Sequence, residues 1–295
     1  MLRWRLLLGT VFVALVGALG WADMLAPRPG VWLFPLAVVV ALAASGELLW
    51  MSRHCEARPL AWVVYAGNLL IVTSNWLPYV TGDAAPPDVW ALPALAFALG
   101  LAVAFGGEMQ RYQKPGGVTE RIAMAVLAQA YVGLLLSFVI QLRFLHGGTW
   151  GIPALASLII VVKMGDIGAY TVGRLIGRHR MAPVLSPGKT YEGAVGGLVF
   201  ACAGAWLALD WLLPAIVPVD SRPRPIVCGW LWFGVLVGAA GMLGDLAESL
   251  LKRDLGCKDS SPWMPGFGGV LDILDSILLA APVAYGCWAW GGVTP

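Results

Sequence analysis

The chain has 295 residues, 59% of them hydrophobic and 12% charged, with 15 tryptophans and a formal net charge of +2. A soluble globular domain carries about a quarter charged residues, so these proportions and a mean hydropathy of +0.78 exclude one and indicate a polytopic membrane protein. The small net charge gives no basis for a nucleic-acid partner.

Apolar stretches of about 20 residues, long enough to cross a bilayer as helices, recur along the whole chain. Nine spans are predicted, roughly at 5–22, 31–50, 60–80, 89–107, 122–142, 150–173, 191–215, 226–250 and 269–290. The fold class is therefore all-α and polytopic. Residues 1–150 would hold about five spans and residues 151–295 about four, the latter with the polar loops. Proline, glycine and charge mark the breaks, as in APRPG, GDAAPPD and RYQKPGGVTER. Arg3 and Arg5, an apolar run and the small residues of ALGWA give the first span the look of a cleaved signal. The charge alternation obtained with that span retained favours an uncleaved anchor.

With nine spans, the side shared by the N-terminus carries 14 Lys and Arg residues and the other side 4, with Lys163 inside a span. The positive-inside rule then predicts a cytoplasmic N-terminus and an external C-terminus. The five cysteines form no C-x-x-C pair and read as small apolar filler. His54, His146 and His179 fall in loops without metal-ligand spacing.

Two regions break the apolar pattern, and both fall on the cytoplasmic side of this topology. In Lys163–Gly197, Lys163 and Asp166 sit three apart in an apolar span, on one helical face. They are either a neutralised structural pair or the wall of a polar cavity. The SPGKT segment, Ser186–Thr190, is not a nucleotide P-loop, because Pro183 stands where that motif needs glycine and no strand is predicted before it. Ser186, Lys189 and Thr190 remain phosphate-capable groups ahead of a helix predicted to start near Tyr191.

The second region, Gly244–Ser276, gathers nine of the 36 charged residues into 33 positions. Asp245 and Glu248 lie three apart, Glu248 and Lys252 four apart, and Asp272 and Asp275 again three apart. Asp245, Asp272 and Asp275 sit where two helices meet the interface, with Lys252, Arg253 and Lys258 in the loop between. Carboxylates for a hard cation beside basic groups for phosphate suit phosphoryl-transfer chemistry. An interfacial salt-bridge cluster accounts for Lys252, Arg253 and Asp254, but less well for Asp272 and Asp275. The PGFGG run, Pro265–Gly269, would let a ligand approach the backbone or merely end a loop.

These residues resemble the C-terminal signature of the phosphatidate cytidylyltransferases, S-x-x-K-R-x4-K-D-x5-P-G-H-G-G-x-x-D-R-x-D. Ser249, Lys252, Arg253, Lys258, Asp259, Pro265, Gly266, Gly268, Gly269, Asp272 and Asp275 match in order. Asp166, Ala169, Tyr170, Gly173, Arg174, Gly177, Ser186, Pro187, Lys189, Thr190, Glu192 and Gly193 extend the likeness. The chain departs from the pattern at Phe267, Ile273 and Gly188, where the family carries His, Arg and Lys.

The resemblance implies CTP and phosphatidic acid as partners, together with the bilayer, and a homodimer as an assembly. It implies magnesium, held by Asp245 and Asp272, with Asp275 helping or binding a second cation. Lys252, Arg253 and Lys258 would neutralise substrate phosphates, with Asp259 orienting Lys258. Ser186, Lys189 and Thr190 would touch CTP phosphates, and Asp166, Tyr170 and Arg174 would line the same cavity. The alternatives are a CTP-dependent enzyme acting on another lipid, such as a polyprenyl-type kinase, and a transporter or membrane scaffold.

Overall fold

A computed structural model describes residues 2–54, 58–80, 88–218, 229–261 and 268–290. Among the described residues ten helices follow one another: α1 Leu2–Leu25, α2 Leu33–Met51, α3 Ala61–Ser74, the single turn α4 Leu77–Val80, α5 Ala91–Arg111, α6 Val118–Arg143, α7 Gly151–Ile176, α8 Tyr191–Ile216, α9 Gly229–Asp254 and α10 Val270–Ala289. Eight of the nine predicted spans each coincide with one of these helices, and the remaining one, 60–80, covers both α3 and α4. Seven are long and apolar enough to cross a bilayer, at 19 to 26 residues each; α3 and the Gly9–Leu25 part of α1 are shorter apolar helices. At 14 residues α3 rises about 21 Å, less than the ~30 Å hydrocarbon core. The chain is an integral membrane protein built almost wholly of helix.

Two helices contain a π turn, Gln129–Leu134 in α6 and Leu207–Leu212 in α8. A short antiparallel hairpin adds the only strands among the described residues, β1 Arg180–Ala182 and β2 Ser186–Thr190. The hairpin corrects the expectation that no strand precedes SPGKT: β1 lies ahead of it, and Ser186–Thr190 is itself a strand. Its backbone pairs with β1 in the register Arg180 with Thr190 and Ala182 with Ser186, which commits amides that a P-loop would aim at phosphate.

The contacts divide the chain into two units, Met1–Gln141 with Asp254–Ile273, and Leu142–Arg253 with Leu274–Pro295. In the first, α3 packs against α2, α5 and the π turn of α6. Its interior is polar as well as apolar. Asn75 Nδ2 donates to Ser137 Oγ at 2.8 Å, and Gln141 Nε2 donates to Asn75 Oδ1 at 2.9 Å. Asn68 Nδ2 donates to Ser45 Oγ at 2.7 Å. The Gln129 side chain lies between Gly67 and Gly100, where a Cβ on either would overlap it. Buried polar groups without water must find protein partners, and here neighbouring helices supply most of them, leaving Asn68 Oδ1 and Gln129 Oε1 without one among the described residues.

In the second unit, α7 and α8 pack along their length through small residues. A Cβ on Gly168 would meet Phe200 and the Gly196 carbonyl, and one on Gly193 the Ala169 carbonyl. Such close backbone approach is how membrane helices associate when apolar side chains offer no advantage over lipid. Trp288 of α10 is fully buried and donates Nε1–H to Ser157 Oγ of α7 at 3.1 Å.

Candidate active site

The charged residues of the second unit meet where α7, α9, α10 and the hairpin come together. On α7, Lys163 Nζ lies 3.0 Å from Asp166 Oδ2, and both side chains are about two-fifths exposed. Ser276 Oγ of α10 reaches Asp166 Oδ1 at 3.5 Å. Gly244 of α9 lies against the Asp275 carbonyl and Ser276 Cα, so a side chain there would push α9 and α10 apart. That approach brings Asp245, the next residue of α9, into the electrostatic range of Asp275, together with Asp166 and Lys163. Three carboxylates from three helices thus share one region of this unit.

The hairpin supplies the opposing charge. Lys189 of β2 forms an ion pair with Asp245. Arg253, two turns further along α9, donates Nε–H to the Leu185 carbonyl at 3.4 Å. The strand is therefore tied to the helix at two points. Thr190 ends the strand and caps α8, its Oγ1 accepting from Gly193 N at 3.1 Å. The helix starts at Tyr191, as its sequence suggests: a threonine N-cap satisfies an amide that has no carbonyl partner within the helix.

Other residues of the motif sit elsewhere in this unit. Tyr170 is exposed on α7 and accepts from Arg174 Nη1 at 2.6 Å, one turn along. Glu192 holds the hairpin base through His179 Nδ1, 2.6 Å away, and through the amides of Arg178 and His179. Glu248 is fully buried and pairs with Lys252 one turn on, which gives that i,i+4 pair a structural role.

Within the first unit, Asp272 stands in the first turn of α10. Its Oδ2 accepts from Ser260 N at 2.9 Å, Ser260 Oγ at 2.5 Å and Gly269 N at 2.8 Å. The bond from the Gly269 amide is that of a capping box, an acid reaching back to the helix start. Lys258 and Asp259 are both exposed, and no ion pair joins them among the described residues. Ile273 is half-buried on α10, while Phe267 lies outside the described residues.

Sequence reasoning passed over Glu47, a residue of α2 only 4% exposed. Its Oε1 accepts from Val270 N and its Oε2 from Leu271 N, each at 2.8 Å. Ser260 Oγ lies 3.1 Å from Oε2. A lone acid inside an apolar span is costly, and that cost was the only signal available.

No three His, Cys, Asp or Glu side chains are arranged as a metal cage among the described residues. Magnesium commonly takes one or two carboxylates and leaves its other positions to water and phosphate. Asp245 and Asp275 fit that requirement, and the Lys189 ammonium on Asp245 marks a position that accepts positive charge.

Apolar helices threaded by an acid–base face define a polytopic membrane protein. The chain belongs to the cytidylyltransferase family, whose model matches residues 3–289. It is 34% identical over 255 residues to a phosphatidate cytidylyltransferase of Mycobacterium bovis, covering 85% of this chain and 71% of that protein. It is 38% identical over 147 residues to one of Haemophilus influenzae, covering 49% of each, and 35% identical over 166 residues to one of Bacillus subtilis, covering 56% and 58%. Against the last two the chain spans about half of the relative's length.

Proposed function

We propose that the protein transfers a cytidylyl group from CTP to phosphatidic acid, giving CDP-diacylglycerol and pyrophosphate. A phosphate oxygen of phosphatidic acid forms a new bond to the α-phosphorus of CTP. The bond from that phosphorus to the bridging oxygen breaks, and pyrophosphate leaves with the electron pair. Both reactants are anionic, so the protein's task is to offset repulsion and to hold them in line.

The observation that carries this reading is the facing of Lys189 and Asp245 across β2 and α9, with Asp275 and Asp166 alongside. Lys189 and Thr190 at the base of the hairpin, and Ser186 beside its turn, offer donors to the CTP phosphates. Arg253 holds the far end of that strand in place. Asp245 and Asp275 would hold magnesium, which when bound supplies charge neutralisation at the phosphates. Lys163 pairs with Asp166 beside them, and Tyr170 with Arg174 extends the polar face along α7. The 14-to-4 distribution of Lys and Arg supports a cytoplasmic position for this face, where CTP is available.

The test is direct. The protein is purified in detergent and given labelled CTP, magnesium and phosphatidic acid, and lipid extracts are assayed for CDP-diacylglycerol. Product from the parent and none from Asp245→Asn is the expected outcome. No product from the parent, under conditions in which a relative is active, overturns the proposal.

A further inference from the structure

We propose that Glu47, contributed by α2 more than two hundred residues before the signature, is a positioning residue for the reaction proposed above. It fixes the first turn of α10 and, through Ser260, the carboxylate of Asp272.

The geometry is specific. A helix N-terminus leaves amides without partners within the helix and carries partial positive charge. At the start of α10 two of these amides, of Val270 and Leu271, donate to the two oxygens of one carboxylate, Glu47. Asp272 Oδ2 takes the Gly269 amide from inside the turn. Ser260 joins the two acids: its hydroxyl lies 2.5 Å from Asp272 and 3.1 Å from Glu47, while its amide donates to Asp272. Gly269 leaves room for this arrangement, since a Cβ there would overlap both Ser260 Oγ and the Glu47 carboxyl. Two signature segments, the loop at Ser260 and the turn bearing Asp272, are therefore held on one side chain outside the signature. Asp275, which the proposed function places at the phosphates, follows Asp272 by one turn of the same helix, so the turn that Glu47 fixes sets that carboxylate, and displacement by ~1 Å can cost about a hundredfold in rate.

The test compares Glu47→Gln, Ser260→Ala and the double variant with the parent in detergent. Cytidylyl transfer is resolved into kcat and KM for CTP, and hydrogen exchange is followed in the 268–273 segment. Glu47→Gln keeps a carbonyl oxygen for one amide but loses the charge and the second acceptor. It should lower kcat about tenfold with little change in KM, and speed exchange of the Val270 and Leu271 amides about tenfold. Ser260→Ala should lower kcat by a similar factor, and the double variant by less than the product, because both act on Asp272. Parent-like kcat and exchange in Glu47→Gln would overturn the proposal, as would losses that multiply in the double variant. Should Glu47→Gln fail to accumulate, Ser260→Ala carries the kcat and exchange measurements alone, and parent-like values overturn it. If the parent makes no CDP-diacylglycerol, the reaction fails first. Unchanged exchange then sinks the positioning role as well, and faster exchange leaves it as a fixture of α10.

Discussion

The buried polar network of the first unit and the accessible charged face of the second use polar residues in opposite ways. In the first, Asn75, Ser137, Gln141, Asn68 and Ser45 are buried and bonded to one another across helices. Asp23 is equally buried and accepts the amides of Gly30 at 2.9 Å and Trp32 at 2.8 Å, just before α2. In the second, Lys163, Asp166, Lys189 and Asp245 are each between about a fifth and two-fifths exposed, paired yet reachable. Groups closed off and satisfied hold helices together; groups paired at an accessible face can exchange a partner for a ligand. Polarity inside a membrane protein is therefore not one signal but two, separated by burial and by what the partner is.

Asp245→Asn strikes the accessible face at its centre. It should reduce kcat by about 10²–10³ while the detergent-solubilised protein keeps its melting midpoint. A large fall in the midpoint would put Asp245 with the structural polar groups and break the contrast. Lys189→Met should come next, raising KM for CTP by about 10–100-fold as one charge-assisted contact is lost. An unchanged KM, measured by product formation across CTP concentrations, would detach the hairpin from the nucleotide.

Smaller effects probe the closed side. Asn75→Leu removes partners from Ser137 and Gln141 in the first unit. It should cost about 1–3 kcal/mol, seen as a lower midpoint in detergent with KM for CTP unchanged. A change in KM without destabilisation would show that the buried network serves binding. The smallest is Thr190→Val, which deletes the cap of α8 at a cost of about 1 kcal/mol. Because Thr190 is also placed near phosphate, a rise in KM beyond what Lys189→Met produces would move it from helix cap to ligand contact.

Apolar length alone revealed the helices, because a run of about 20 apolar residues has few other stable uses. The signature and its extension named Asp166, Lys189 and Asp275, and charge spacing named Asp245, but which of them face one another is a property of tertiary contact. Glu47 was illegible for the same reason: its amide partners lie 223 and 224 residues away, and the surrounding ALAASGELLWM carries no pattern that predicts them. The π turn at Gln129–Leu134 leaves no trace in an unbroken apolar run either. The hairpin was missed because SPGKT contains proline and glycine, which depress strand propensity, and its strands are only 3 and 5 residues long. The two ties to α9, through Lys189 and the Leu185 carbonyl, lie outside any local rule.

Those ties couple two different rulers. From Leu185, the last residue of the turn, to Lys189 the second arm of the hairpin advances four residues, or about 13 Å, and from Asp245 to Arg253 the helix advances eight, or about 12 Å. One residue more or less in the strand slides its end by about 3.3 Å, the rise of two helical residues, and turns every following side chain to the opposite face. Sequence drift can change the chemistry of this hairpin by substitution, whereas a change in its length would uncouple Lys189 from Asp245 outright.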